Sequence, residues 1–560
     1  MIQRSRENSR WWGWGELSET FDLTSRPFFW PYLQQFFRLP QEPILLPPEV
    51  ERFAVPPSRL TTADIQALQQ IISANSVLRD NASRVQYAVG KSYRDLIRLR
   101  YYQIDHYPDA VVLPANEHEV AAIMQWAVAR KIALVPRGGG TSVVGGVEAL
   151  RGHCRAVVVL VLRRLNRVLK IWRESLLVDV QAGILGPELE ARLQAEGLTL
   201  GHFPESFHYS TVGGWVATRS AGQQSTGFGK IEDMVERVCV ITPSGSFCTP
   251  GFPAAADGPE AHRLLVGSEG RLGVIVQVRL RVRPLPAKRY YTAFLMPDFI
   301  SGAEVVRLMM QQELQPALVR LADPVETEFF FALRKKHAHL RGWLQEQLIN
   351  RYLPLRGYKK NKRSLLLVGF EGSQVQVREQ RRQLHRLLRS SPHLSLGTAV
   401  GRNWYHHRFR NPYLRDVLLD YGLFIDTLET ATNWHHWQHL YQSVCQAIEN
   451  AFAHLGIPGV VMAHISHVYR SGTSLYFILL AQPPEGEALN TWDYVKRIAS
   501  RAIVENFGTI SHHHGVGVDH RPWIRRELDV HLLQMLKAMC QKVDPTGILN
   551  PGKLLPEDDA

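Results

Sequence analysis

The 560 residues predict an α+β protein of several domains, on three observations. Strand-like and helix-like segments alternate from about residue 108 onward, and three glycine-rich turns punctuate the first part of that stretch. The length also exceeds what one core can hold, since domains typically run to about 150 residues. Hydrophobic residues at 45% and charged residues at 21% match a soluble globular composition. No apolar run reaches the roughly 18 residues of a membrane span, so no transmembrane helix is expected.

Residues 1–107 read as an N-terminal aromatic and helical segment. Trp11, Trp12, Trp14, Phe28, Phe29, Trp30, Tyr32, Phe36 and Phe37 are interleaved with Pro27, Pro31 and Pro40. The prolines oppose one long helix, and so much aromatic surface must be buried in the protein or at an interface. Packing onto the body is the expectation. Contact with a membrane surface is the alternative, because Arg10, Arg26 and Arg38 flank the aromatics. Residues 108–286 then repeat strand, helix and turn: a strand at Val111–Leu113, a helix at Glu117–Arg130, a strand at Ala133–Pro136, and the valine-rich run Ala156–Leu162 as a buried strand. Residues 287–500 imply a second α+β unit, with a helix at Gly302–Gln312 and strands at Ser364–Phe370 and Ser474–Ala481. In the last segment, residues 501–560, helical spacing from Trp523 to Val543 closes at the turn Asp544-Pro545-Thr546-Gly547.

A formal charge of +13 favours anionic partners. Nucleic acid is not expected, because Lys and Arg are dispersed and the cluster Lys359-Lys360-Asn361-Lys362-Arg363 reads as a solvated loop. The five cysteines (Cys154, Cys239, Cys248, Cys445 and Cys540) are widely spaced and odd in number, which predicts a reducing compartment and no disulfide. Arg4, Arg6, Glu7 and Asn8 do not begin a signal peptide, and Glu557-Asp558-Asp559-Ala560 is not a peroxisomal address, so a cytoplasmic protein is expected.

Chemistry concentrates at His512, His513 and His514, between Ser511 and the turn Gly515-Val516-Gly517. Three side chains titrating near neutrality at one point serve proton transfer or anion binding. Adjacent residues of an extended segment point to opposite faces, so the three are not expected to chelate one metal, and no metal site is assigned. A polar loop without function is the bland alternative. Arg137-Gly138-Gly139-Gly140-Thr141-Ser142 follows a strand, and its glycines free several N–H groups to turn toward one anion. It is neither a P-loop nor a dinucleotide fingerprint of Rossmann spacing.

The strings PRGGGTS (136–142), STVGGWVATRSAG (210–222) and GSEGRLGVI (267–275) together resemble the FAD-binding domain of the vanillyl-alcohol oxidase/p-cresol methylhydroxylase (PCMH) superfamily. The resemblance implies a two-subdomain PCMH-type FAD-binding domain at 108–286, an α+β substrate (cap) domain at 287–500, and FAD as cofactor. It implies that Pro136, Arg137, Gly138, Gly139, Gly140, Thr141 and Ser142 hold the diphosphate. Glu205, Ser210, Thr211, Gly213, Thr218, Arg219, Ser220, Glu269, Gly270, Leu272, Gly273 and Ile275 would line the rest. Relatives with covalent flavin often carry histidine where Thr141 stands, so non-covalent FAD is expected.

Within the superfamily the chain is most similar to the alkyldihydroxyacetonephosphate synthase family, from Trp12-Gly13-Trp14-Gly15 through Gly201-His202-Phe203-Pro204-Glu205-Ser206 to the histidine run. This similarity implies exchange of the acyl group of acyl-dihydroxyacetone phosphate for a long-chain alcohol through a flavin N5 adduct, a step of ether-lipid synthesis. Tyr476 would be catalytic with His512, His513 and His514, and Arg415 and Arg320 would contact substrate. A core tyrosine and a helix-surface arginine are the plain readings of Tyr476 and Arg415. A homodimer with peripheral membrane contact is expected. The competing function is an FAD-linked 2-hydroxy-acid dehydrogenase of D-lactate or glycolate type, which Asp544–Lys553 matches equally well. Such relatives tend to carry Glu-His-Gly where this chain has its histidine run.

Overall fold

The computed structural model describes residues 10–334 and 353–556. The terminal residues that carried the targeting expectations, Arg4 to Asn8 and Glu557 to Ala560, lie outside them. The first sheet has four strands in the order Val77–Leu78, Ala110–Val112, Ala156–Val161, Ile132–Arg137, with the last three parallel. Every residue of Ala156–Val161 is buried, as a parallel strand covered on both faces requires. The helix Glu117–Arg130 forms over the span its periodicity predicts. Asn116 caps its start by accepting from the Glu119 N–H, and Lys131 ends it in the left-handed conformation. A second, antiparallel sheet of five strands orders Val168–Trp172, Leu177–Gln181, Val274–Arg281, Val235–Thr242 and Gly245–Cys248.

The third sheet is antiparallel and seven-stranded, in the order Leu394–Leu396, Lys288–Met296, Ser364–Gly372, Leu318–Ala322, Gly459–Val468, Gly472–Ala481, Phe424–Asn433. Side chains alternate across a strand, and here the alternation separates core from site. Phe424 and Leu428, Val461, Ala463 and Ile465, and Leu475, Phe477 and Leu479 pack into one large core with the helices Phe299–Gln311, Gln374–Leu388, Trp437–His454 and Ala488–Glu505. Their neighbours in sequence face the other way. The molecule thus sets two small sheets beside one wide, helix-backed sheet, the α+β layout that the PCMH resemblance implies, with the wide sheet as the floor of the expected cap.

The N-terminal aromatics pack onto the body. Phe29, Leu33 and Phe37 are buried with Leu414, Leu418, Ile425, Met462 and Leu480 in one cluster, on the cavity-facing side of the wide sheet. Trp14 is also buried, its N–H donating to the Asp416 carboxylate.

Three expectations are corrected. The C-terminal helix does not run unbroken from Trp523. Leu528 is extended, and Asp529 caps a new helix, Val530–Val543, by accepting from the His531 N–H. Arg363 is buried against Glu328 at 2.6 Å rather than solvated, although Lys359, Lys360 and Lys362 are exposed. Cys239 and Cys248 form a disulfide, because they are directly opposed in the hairpin of Val235–Thr242 with Gly245–Cys248. Sequence spacing conceals this register. Among the described residues no helix is long and apolar enough to cross a membrane.

Non-reducing proteolysis with mass spectrometry should recover the Cys239 and Cys248 peptides as one species that dithiothreitol separates; free thiols at both positions would contradict the pairing. Cys248→Ser should cost about 2–3 kcal/mol, the value for closing a short loop, read as a lower denaturation midpoint.

Candidate active site

A cavity of about 390 Å³ opens where the two small sheets meet the floor of the cap. One wall is the glycine loop. Built onto Gly139, a Cβ would run into the Tyr209 carbonyl, and on Gly138 into the Thr211 hydroxyl. The glycines therefore let two loops touch backbone to backbone. The N–H groups of Gly138 to Ser142 find no partner among the described residues, so this approach leaves a row of donors facing the cavity. Arg137 is buried below, donating to the Val89 carbonyl at 2.8 Å. A diphosphate is the chemistry that such a row fits.

Across the cavity, Glu269 accepts from the N–H groups of Val516 and, at 2.8 Å, of Gly517. Burial pushes its carboxyl up to about 7, against those two hydrogen bonds. Asn550 donates to the Glu269 carbonyl at 2.6 Å while its Oδ1 stays buried and unpartnered. Free buried acceptors and donors around one elongated space fit FAD, whose ring and ribitol carry both kinds of group.

The histidine run is organised by a residue that sequence reasoning missed. Glu429, in the strand Phe424–Asn433, is 1% exposed. Its carboxylate accepts from the Ser511 hydroxyl at 2.8 Å and from the N–H groups of His512 at 2.7 Å, His513 at 2.9 Å and His514 at 2.7 Å. The His513 Nδ1 lies 3.2 Å from it, and the other two Nδ1 atoms 3.8 Å. Burial opposes this charge, but the three imidazoles outweigh burial and hold the carboxyl well below the usual range. Burial in turn pushes His514 down to about 3, so it rests as a neutral base.

The run is a tight turn around one carboxylate, not an extended segment. The premise of alternating faces is thereby corrected: His512 and His513 place their Nδ1 atoms 3.1 Å apart, and His467 joins them within 4.8 Å. His512 itself turns from the cavity, meeting the Tyr469 hydroxyl at 2.6 Å while its carbonyl accepts from Lys230 at 2.7 Å.

Tyr476 is neither a core tyrosine nor alone. It lines the cavity directly opposite Glu429 in the sheet register, with His464 opposite on its other side. The His464 ring stacks on it at 4.9 Å and the His513 ring at 6.3 Å. Burial, then the neighbouring Glu205, pushes its phenol pKa up and keeps it protonated. Arg415 is not a surface cation: in the helix Asn411–Asp420 it lines the cavity, donating to the Lys91 carbonyl at 2.9 Å with its Nε buried and unpartnered. Arg320 lines it too, paired with Glu326 at 2.7 Å.

Most residues assigned from sequence line this one cavity: Pro136 to Ser142, Glu205, Ser210, Thr211, Gly213, Thr218, Ser220, Glu269, Gly270, Gly273, Ile275, Arg320, Arg415, Tyr476, His513 and His514. Arg219 and Leu272 are placed away from it. Arg219 is largely exposed and pairs with Glu232, and Leu272 is buried in the core beside the second sheet. Glu205 is bonded to Asn411 and faces the charges of Arg320 and Arg415. Sequence reasoning also passed over Glu326, His464 and the apolar wall of Phe329, Phe330, Leu414, Leu418, Met462 and Ile478. The strand alternation Ile425, Thr427, Glu429 was the available signal for Glu429.

Comparisons with known proteins agree with this geometry. The family model for an FAD binding domain matches residues 108–250, and that for the C-terminal domain of FAD linked oxidases matches residues 285–554. FAD is the cofactor of this fold. Alkyldihydroxyacetonephosphate synthase of Dictyostelium discoideum is 33% identical over 521 residues, 93% of this chain and 84% of that protein. A solved structure of an alkyldihydroxyacetonephosphate synthase superposes with a TM-score of 0.83 at 28% identity, covering 99% of this chain and 98% of the other. The mitochondrial cytochrome D-lactate dehydrogenase of Arabidopsis thaliana is 24% identical over 504 residues, 88% of this chain and 81% of that one. The chain belongs to the alkyldihydroxyacetonephosphate synthase family.

Proposed function

We propose that the protein is an FAD-dependent alkylglycerone-phosphate synthase, exchanging the acyl group of acyl-dihydroxyacetone phosphate for a long-chain alcohol. The observation that carries this is the position of Tyr476, set between two imidazoles where the polar cofactor cradle gives way to an apolar wall. FAD, when bound, would supply an electrophilic ring system, and the loop Gly138 to Ser142 would hold it without a covalent link, since Thr141 stands where a linking histidine would.

Removing a proton from the carbon beside a ketone leaves negative charge on the ketone oxygen. The protonated Tyr476 phenol is a donor for that oxygen, and the neutral His514 imidazole of the run is an acceptor for the proton. Arg415 and Arg320 provide fixed positive charge for the substrate phosphate, as planar donors suited to its oxygens. Phe329, Phe330, Leu414, Leu418, Met462 and Ile478 exclude water and offer an apolar surface to the alkyl chains. A homodimer touching the bilayer belongs to the same reading. Exposed Phe28, Phe36, Ile44 and Leu46, in the segment behind the apolar wall, support the bilayer contact. A 2-hydroxy-acid dehydrogenase is the lesser reading, since serine, Ser511, precedes the histidines in sequence where such relatives tend to carry glutamate.

Incubation with acyl-dihydroxyacetone phosphate and labelled hexadecanol should yield the alkyl product by mass, and Tyr476→Phe should abolish it with FAD still bound; unchanged turnover refutes the role. Anaerobic lactate or glycolate should leave the flavin absorbance unbleached, and bleaching by either acid would favour the dehydrogenase.

Acid should loosen the site. A carboxyl held below its ordinary 4.5, as Glu429 is, stabilises the fold above that value and loses the effect as pH falls through it. An imidazole held at about 3, as His514 is, stabilises the fold above its ordinary 6.5 and loses the effect below it. Both act in one direction, so the melting temperature should fall steadily from pH 7 to pH 4. Glu429→Ala, which leaves four donors without their acceptor, should cost about 3–5 kcal/mol at pH 7 and remove only the part of the acid loss that sets in below 4.5.

A further inference from the structure

On the side of Tyr476 away from the histidine run, the structure places a second carboxylate–imidazole pair. Glu326, in the helix Pro324–Ala332, is 1% exposed, and His464, in the strand Gly459–Val468, is 3% exposed. Glu326 Oε1 lies 3.0 Å from His464 Nδ1 and 2.7 Å from the Arg320 guanidinium. Arg320 and His464 Nδ1 are themselves 3.1 Å apart. With the proton on Nδ1, that oxygen accepts from both Arg320 and His464, which brings the two donors side by side, whereas a bare Nδ1 would turn its lone pair toward the carboxylate. The Nδ1 therefore carries the proton, and Nε2 is left with its lone pair. Glu326 thus sets the tautomer of His464 as an orienting carboxylate does in a catalytic dyad.

His464 sits at a chemical boundary. Along its strand Met462, His464 and Ser466 line the cavity. Across the sheet His464 is opposite Tyr476, Met462 opposite Ile478, and Ile478 opposite Thr427. One step further lie Leu480 and Ile425, opposite each other and also on the cavity. The floor thus changes within two residues from Tyr476 and His464 to Met462, Ile478, Leu480 and Ile425. An alkyl chain lying on this apolar strip ends with its hydroxyl at the His464 row. The groups facing the imidazole are Glu326 and Arg320 from one side, Tyr476 from the next strand and His513 from the turn. Burial, then the Arg320 charge, holds His464 below its ordinary value, so it rests neutral.

We propose that His464, oriented by Glu326, is the acceptor for the hydroxyl proton of the incoming alcohol. The alcohol O–H bond breaks, its oxygen uses its electron pair to form the new C–O bond, and the proton goes to His464 Nε2. Glu326 balances the imidazolium until the proton passes to solvent. The fatty acyl group departs separately as a carboxylate with its own electron pair. This assignment rests on the synthase reading and gives its two proton transfers to opposite faces of Tyr476. The histidine run serves the carbon-bound proton, and His464 the alcohol.

The test separates the two halves of the reaction in the holoenzyme. With wild type, rapid quench should show fatty acid release followed by alkyl product from hexadecanol. His464→Gln, with FAD content checked by absorbance, should keep fatty acid release within about threefold while lowering alkyl product formation by about 10²-fold or more, the usual span for a lost general base. Glu326→Gln should lower alkyl product about tenfold and shift the acid limb of its pH profile. A 2,2-difluoroalkanol, whose hydroxyl gives up its proton more readily, should recover much of the loss in His464→Gln, which a merely structural role would not allow. Alkyl product within threefold of wild type in His464→Gln, an equal loss of both halves, or no recovery with the fluorinated alcohol would each overturn the proposal. Wild type that neither releases fatty acid nor makes ether would instead sink the synthase reading.

Discussion

The site depends on one buried anion. The Glu429 carboxylate gathers the Ser511 hydroxyl and three successive N–H groups, and so folds the histidine run into a turn instead of a strand. Hydrogen bonds to a charged group contribute about 1.5–3 kcal/mol each, enough together to offset the desolvation of one carboxylate. The imidazoles add their own attraction, and the carboxyl remains charged in a place where burial alone would neutralise it. Because Glu429 stands opposite Tyr476 in the sheet, anchoring the loop also sets the distance from histidine to tyrosine.

The wide sheet extends that arrangement into a gradient. Its helix-facing side is mostly apolar, Asp426 with Trp492 and Lys496 being a polar exception, and belongs to the largest core, which leaves the strands little freedom to slip. Its other side carries charge at one end and hydrocarbon at the other, within the length of a few residues. A reaction joining a phosphorylated headgroup to an alkyl chain needs such a boundary, and the strand register supplies it. Glu326 and Glu429 come from different elements, yet each holds an imidazole against a face of the same phenol.

The cofactor side obeys a different constraint, close backbone approach. Gly138 and Gly139 allow two loops to meet where any side chain would collide, and the unpaired N–H row follows from that contact. Glu269 then links this side to the turn that follows the histidines, so cradle and catalytic loop are braced against each other.

Taken alone, the amino-acid sequence determined the α+β class, the helix at Glu117–Arg130, the glycine-rich cofactor loops, and the gathering of Tyr476, Arg415 and the histidines at one centre. The first three are local signals, periodicity, turn residues and short motifs whose meaning does not depend on distant partners; the placing of Tyr476 and Arg415 with the histidines came from the family resemblance, since the residues alone read as a core tyrosine and a surface arginine. Tertiary structure alone decided the pairing of Cys239 with Cys248, the break at Leu528, the burial of Arg363, and the roles open to Glu429, Glu326 and His464. Each depends on strand register or on a contact between elements far apart in the chain. A lone glutamate in an alternating strand looks the same whether it faces solvent or holds four donors. Only the sheet that buries it, and the loop that returns to it, make it the anchor of the site.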